Sequence, residues 1–221
     1  QNSEKKSLSL DLKAKDDRDF FLKLVRTADV LVQNYSGRSM EKLGFSYGKI
    51  KKINPTIIYC SMTGFGRTGP KAEHPAYDSI IQAYSGLMEL NGVKATGPIR
   101  VGPAIVDYGT GIHAAFAISS ALYRRQITGE GLEIDLSMLD AAIMLMTSTV
   151  SDSLSSGISS PSYGNNHPDH PGYGAFNASD RMIVIGAFTK KQLCNLLLGI
   201  NKKKEVKLVS CFTKKEMKAS Y

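Results

Sequence analysis

Two apolar periods alternate along the first third of the chain. From Asp16 to about Thr27, Phe20, Phe21, Leu24 and Val25 fall on one helical face, with Asp16 placed as an N-cap. Ala28 to Gln33 (ADVLVQ) and Thr56 to Met62 (TIIYCSM) are unbroken apolar runs of strand length. Between them Ser46 opens a short helix to Ile53, which Asn54-Pro55 ends. Ser7 to Leu12 alternates strictly and predicts a further short strand. Strand, helix, strand, helix, strand at this spacing predicts a Rossmann-like parallel α/β sheet. Ligands of such sheets lie beyond the carboxyl ends of the strands, which selects the loops at Asn34 and Gly64.

Further on, the pattern predicts helices over Pro75 to Leu90, Asp107 to Arg125 and Ser137 to Val150, with a strand at Leu132 to Leu136. A Gly- and Pro-rich loop fills Asn91 to Pro103, and Ser151 to Ser162 has linker composition. Gly164 to Gly174 (GNNHPDHPGYG) is dense in turn formers and is read as irregular. Arg181 to Gly186 is a strand and Lys190 to Leu198 a helix, after which the pattern dissolves into lysines. The expected organisation is a large domain over 1–150, a linker over 151–163, the start of a smaller α+β domain over 164–200 and a Lys-rich tail over 201–221.

Composition narrows the class. Apolar residues make up 42% and charged residues 22% of 221, enough to bury a core. No apolar run approaches the length of about 18 residues that a membrane span needs. Gln1 to Lys6 is polar and has no secretory pattern, and Cys60, Cys194 and Cys211 are few and widely spaced. Together these predict a cytoplasmic protein with reduced thiols, Cys60 being core filler. The net charge is +8, but seven lysines against two glutamates in 201–221 supply +5 of it. The remaining 200 residues share +3, and no aromatic residues interleave the lysines as a nucleic-acid surface would require. Neither nucleic acid nor membrane is an expected partner.

The segment Thr63 to Pro70 (TGFGRTGP) contains G-x-G-x-x-G after a strand, the spacing of dinucleotide-binding loops. That motif needs its third glycine to open a helix whose amides hold a pyrophosphate. Here Gly69 precedes Pro70, and Pro75 follows shortly, so a continuous helix is ruled out. No acidic residue ends a strand about 20 residues on. The stretch is therefore a ligand-facing loop rather than a nicotinamide site.

Several short motifs occur in series: Ser7 to Lys13, Ala28 to Tyr35, Leu43-Gly44-Phe45, Asn54 to Ser61, Gly64 to Pro70, Tyr77-Asp78 before Gln82 to Met88, Asp107-Tyr108-Gly109-Thr110-Gly111, and Arg124-Arg125 with Thr128-Gly129-Glu130-Gly131. Each is weak alone. As a collinear set over about residues 5–198 they resemble the class III (CaiB/BaiF-type) coenzyme A transferases, which include formyl-CoA transferases and acyl-CoA racemases. The resemblance implies transfer of coenzyme A between an acyl-CoA thioester and a carboxylic acid, with CoA as substrate and no prosthetic group. It also implies an interlocked homodimer.

It implies as well that Asp107 is the nucleophile, through an aspartyl-CoA thioester. Read from its residues alone, Asp107 is an N-cap; the resemblance reverses that, and as a nucleophile its helix-start amides would hold it ionised. By the same resemblance, Leu10, Asp11, Leu12 and Lys13 lie along the nucleotide, and Asn34, Tyr35 and Ser36 cradle pantetheine and phosphates. Lys42 stands near the phosphates, and Pro75, Ala76, Tyr77 and Asp78 flank the CoA arm. Lys13 and Lys42 also read as ordinary surface lysines. Gly164 and Gly172 fall where the family has a glycine-rich loop closing over the intermediate.

The family's racemases carry a His immediately before the aspartate that Asp78 matches. That position is Tyr77, a phenol unsuited to α-proton abstraction at neutral pH, while His74 is three residues early. Transferase chemistry is thus expected over racemase chemistry. His113 reads as packed in its helix, and His167 and His170 lack a third partner, so no metal site is expected. The chain reads as a fragment of a protein about twice as long, starting after the family's first strand. An inactive, truncated CoA-binding relative is the remaining alternative.

Overall fold

The computed structural model describes residues 2–211 and divides the chain into two compact units. The first comprises 2–88 with 100–159, and the second 89–99 with 160–211. Among the described residues, no helix is long and apolar enough to cross a membrane.

The first unit opens with α1 (Lys15–Thr27), β1 (Val30–Gln33), α2 (Ser39–Lys42), α3 (Tyr47–Ile53) and β2 (Ile58–Thr63). It continues through α4 (Asp78–Tyr84) to the first half of α5 (Leu87–Leu90), then α6 (Ile105–Thr128), β3 (Leu132–Ser137), α7 (Met138–Leu145) and α8 (Thr147–Ser156). The strands form one parallel sheet in the order β1-β2-β3, with Val30 opposite Ile58 and Thr63 opposite Ser137. As the central strand, β2 is buried over Ile58 to Ser61, which is why it reads as a continuous apolar run. Val25, Leu31, Phe45, Ile50, Ile57 and Tyr59 form one core cluster, and Ile81, Val106 and Ala142 a second. Cys60 is fully buried in β2, and burial, with the nearby Asp135 charge, pushes its thiol up to about 11.

Two clamps secure the amino-terminal side of this sheet. Asn54 donates from Nδ2 to the Val25 and Ala28 carbonyls at 2.9 Å each, and its Oδ1 accepts from the Thr56 amide and hydroxyl. Arg125 reaches from α6 to the Asp29 carboxylate at 2.8 Å and to the carbonyls of Asp29 and Thr56. Gly129 then ends α6 in the left-handed region at φ 72°, and a Cβ on Gly131 would stand 2.3 Å from the Ile57 carbonyl oxygen. The Asn-Pro and Arg-Arg…Thr-Gly-Glu-Gly motifs are therefore architectural.

The second unit holds β4 (Asn166–His167), β5 (His170–Asn177), β6 (Met182–Ala187), α9 (Lys190–Gly199) and α10 (Lys203–Cys211). Its strands pair antiparallel in chain order. Thr189 opens α9 with a full capping box to Gln192.

Several expectations are corrected. Ser7 to Leu12 forms no strand, because nothing pairs with its alternating pattern; Asp11 instead accepts from the Lys13 amide in a turn leading into α1. Ala14, not Asp16, is the N-cap of that helix. Residues 151–156 of the expected linker are helical in α8, which Gly157 ends at φ 70°. Gly164 to Gly174 is largely hairpin: Pro168-Asp169 makes the turn that lets His167 face His170. Residues 203–211 of the expected tail form α10, and 212–221 lie outside the described residues.

Candidate active site

A cavity of about 400 Å³ opens at the carboxyl ends of the parallel strands. Its wall comes from five segments: the loop after β1, the end of β2 with Gly64, the loop before α4, and the first turns of α6 and of α7. The buried Gln33 amide donates to the Ser61 hydroxyl at 2.8 Å, tying the two strand ends, and its Oε1 accepts from the Tyr35 amide. This pins the loop carrying Asn34 and Ser36, both of which line the cavity.

The Gly64 to Pro70 loop has no helix after its third glycine. A Cβ on Gly64 would stand 2.4 Å from that of Ala76, so glycine here lets the two walls close on each other. Gly66 and Gly69 adopt φ of 81° and 88°. Arg67 is held by Glu41 and Glu133, and its amide donates to Asp135, which leaves this arginine occupied by β3 and α2.

Asp107 lines the cavity from the first turn of α6. The N-cap of that helix is Ala104, which offers no side-chain acceptor. The orphan amides go to Asp78: its Oδ2 accepts from Val106 at 2.8 Å and Asp107 at 3.2 Å, while Oδ1 accepts from Gln82. Gln82, fully buried, also accepts from the Val101 amide at 2.8 Å. A capping carboxylate supplied from α4 leaves the Asp107 carboxylate free of capping duty. Burial first, and the Asp78 charge second, raise the Asp107 carboxyl above its ordinary range. That shift opposes the stabilisation of charge expected from the helix start.

The rest of D-Y-G-T-G serves the same corner. A Cβ on Gly109 would sit 3.1 Å from Leu145 Cδ1, so glycine lets α7 approach. Thr110 is buried and donates to the Val106 carbonyl at 2.7 Å, and Gly111 contributes to the lining.

Of the residues singled out from sequence, Asp107, Asn34, Ser36, Pro75, Ala76 and Tyr77 line this cavity. Asp78 does not: it is buried beneath, as the cap of α6. Tyr35 is exposed beside the cavity without lining it. Leu10 to Lys13 and Lys42 are also outside the lining; Leu12 packs against the first core cluster, and Asp11 accepts from the Lys13 amide. Gly172 is no loop residue but a buried member of β5 opposite Ala187, whereas Gly164 is an exposed turn residue at φ 58° beside Val93, both in the second unit.

Sequence reasoning missed Met62, Thr63, His74, Thr110 and Met138 as wall residues. Met62 and Thr63 end β2, and Met138 follows β3, so the strand-end rule could have found them. His74 is three residues early for the racemase position, yet α4 begins only at Asp78, and His74 to Tyr77 run along the cavity as extended chain.

Comparison with known proteins identifies the family. The chain is 42% identical over 185 residues to the acetyl-CoA:oxalate CoA-transferase of Acetobacter aceti, covering 83% of this chain and 48% of that protein. It is 36% identical over 199 residues to the succinate–glutarate CoA-transferase of Agrobacterium fabrum, covering 89% of this chain and 50% of that protein. The chain thus spans about half the length of the curated relatives it matches. Among solved structures, a CaiB/BaiF family protein from Brucella suis superposes with a TM-score of 0.82 at 35% identity, over 90% of this chain and 53% of that one. The model of CoA-transferase family III matches residues 1–219, running past residue 198 and through the Lys-rich segment. On these grounds the chain belongs to CoA-transferase family III.

Proposed function

We propose that this chain carries the nucleophile side of a coenzyme A transferase and that Asp107 is the nucleophile. The observation that supports it is the Asp107 carboxylate on the cavity wall, with the α6 amides already satisfied by Asp78. One Asp107 oxygen attacks the donor thioester carbonyl; the C–S bond breaks, giving a mixed anhydride and the CoA thiolate. The thiolate then attacks the Asp107 carbonyl, breaking the anhydride C–O bond. This releases the donor acid as carboxylate and leaves an aspartyl-CoA thioester. An acceptor carboxylate reverses the two steps, and no net proton transfer is needed. The raised Asp107 carboxyl must lose its proton first, so the first step accelerates as pH rises through its folded pKa.

A cavity of about 400 Å³ suits the acyl group and the thiol end of CoA rather than the whole cofactor-sized molecule. Asn34, Ser36 and Tyr77 then flank the pantetheine end. Relatives carry the names oxalate, glutarate and mesaconate CoA-transferase, so a small dicarboxylate is the acceptor class proposed here. The working protein is proposed to be a cytoplasmic homodimer.

Incubation with acetyl-CoA or succinyl-CoA followed by hydroxylamine is expected to place a hydroxamate on Asp107, read by peptide mass spectrometry. An unmodified Asp107 in folded protein would refute the assignment. A second reading follows from His74 lining the same cavity: an imidazole there could exchange an α-proton of the acyl chain. Solvent deuterium entering the α-carbon of a 2-methylacyl-CoA, without transfer, would select it.

A further inference from the structure

Thr63 stands out in the cavity wall. It ends β2 opposite Ser137, is 8% exposed, and its residue lines the cavity that holds Asp107. Its Oγ1 is the one buried side-chain polar atom that has no hydrogen-bond partner among the described residues. The neighbouring hydroxyls are all engaged. Ser61 accepts from Gln33, Thr110 donates to Val106, and Ser137 caps α7 at the Asp140 amide while lying 3.5 Å from the Gly64 carbonyl. A buried hydroxyl left unpaired opposes folding, and natural cores rarely keep one without use. Valine has the same shape and would carry no such cost.

We infer that Thr63 is a substrate-orienting residue, its hydroxyl donating to an oxygen of the acyl or carboxylate group that sits against Asp107. This rests on the CoA-transferase reading above. The group recognised is a carbonyl or carboxylate oxygen, an acceptor for the one proton a threonine hydroxyl can give. Both donor and acceptor acids of the exchange present such an oxygen, so one hydroxyl serves both half-reactions. The β2–β3 pairing that terminates at Thr63 and Ser137 makes this a rigid position.

The test compares the full chain with Thr63→Val and Thr63→Ser. Three readouts are taken: melting temperature without ligand, its shift with acetyl-CoA or succinyl-CoA, and the rate of Asp107 hydroxamate formation. Thr63→Val is expected to melt at or above the wild-type temperature without ligand. Its ligand-induced shift should shrink, and its rate of Asp107 modification at subsaturating thioester should fall about tenfold, the worth of one hydrogen bond. Thr63→Ser should restore most of both. If Thr63→Val melts lower without ligand and Thr63→Ser restores it, the hydroxyl serves the fold and the inference is overturned. Equal thioester shifts and rates in wild type and Thr63→Val overturn it as well. Wild type that neither shifts nor reacts refutes the CoA-transferase reading itself, and the inference with it.

Discussion

The two ends of the parallel sheet are built on opposite plans. At the amino-terminal end, polar side chains are spent on backbone. Asn54 satisfies four groups around the turn into β2, and Arg125 bridges α6 to Asp29 and Thr56. At the carboxyl end, one carboxylate is spent so that another stays available. Asp78 caps α6, Asp107 lines a cavity, and the buried hydroxyl of Thr63, another residue of that wall, has no partner among the described residues. The contrast teaches that two aspartates in one helix-start cluster divide the work: the buried one holds the geometry, and the open one is left to react.

Substitutions at the two ends should therefore fail in different currencies. The largest effect is expected from Asp107→Asn, which should abolish hydroxamate formation. The same change should stabilise the fold at neutral pH, because the folded state holds the Asp107 proton more tightly than the unfolded chain does. Below the ordinary carboxylate pKa both states are protonated and the variants should melt alike. As pH rises the unfolded chain ionises first, wild-type stability falls, and the gap should open. A melting series across acidic to neutral pH checks the sign.

Asp78→Ala is expected next. It leaves the Val106 and Asp107 amides and the Gln82 side chain without their acceptor, at a cost of about 3 kcal/mol in urea unfolding. Thioester reactivity should fall too, since Asp107 loses its anchored helix start. Asn54→Ala at the opposite end should cost about 2 kcal/mol through its buried hydrogen bonds. Here the Asp107 modification rate should hold once the protein is folded, and a parallel loss of rate would erase the distinction between the two ends. The smallest effect is at Cys60. With its thiol buried and pushed up to about 11, it should resist maleimide at pH 8 until denaturant is added.

Legibility followed the same division. Elements with a clear apolar period or run were readable: β1, β2, β3, β6, α1, α6 and α9 fall close to their expected positions. Two segments misled because local composition ran against tertiary pairing. Gly164 to Gly174 carries turn formers throughout, yet Pro168-Asp169 makes a single tight turn between β4 and β5, and Gly172 to Gly174 pair with Ile185 to Ala187 of β6. Ser7 to Leu12 had the alternation of a strand and no neighbour to pair with. Ser- and Thr-rich α8 is weakly apolar, so its helix left no clear period.

Within the site, the loops at Asn34 and Gly64 could be picked out from chain order, since a strand's carboxyl end is a position in sequence, whereas Asp107 is implied by the family resemblance. The sequence by itself determined the parallel α/β class, the architectural roles open to glycine and proline, and the family to which the collinear motifs point. Asp78's turn from ligand contact to helix cap, the proximity of His74, and the isolation of the Thr63 hydroxyl were decided only by tertiary structure. Each depends on which groups α4, α6 and β2 bring together from positions 28 to 44 residues apart, and hydrogen-bond satisfaction across that separation has no local signature.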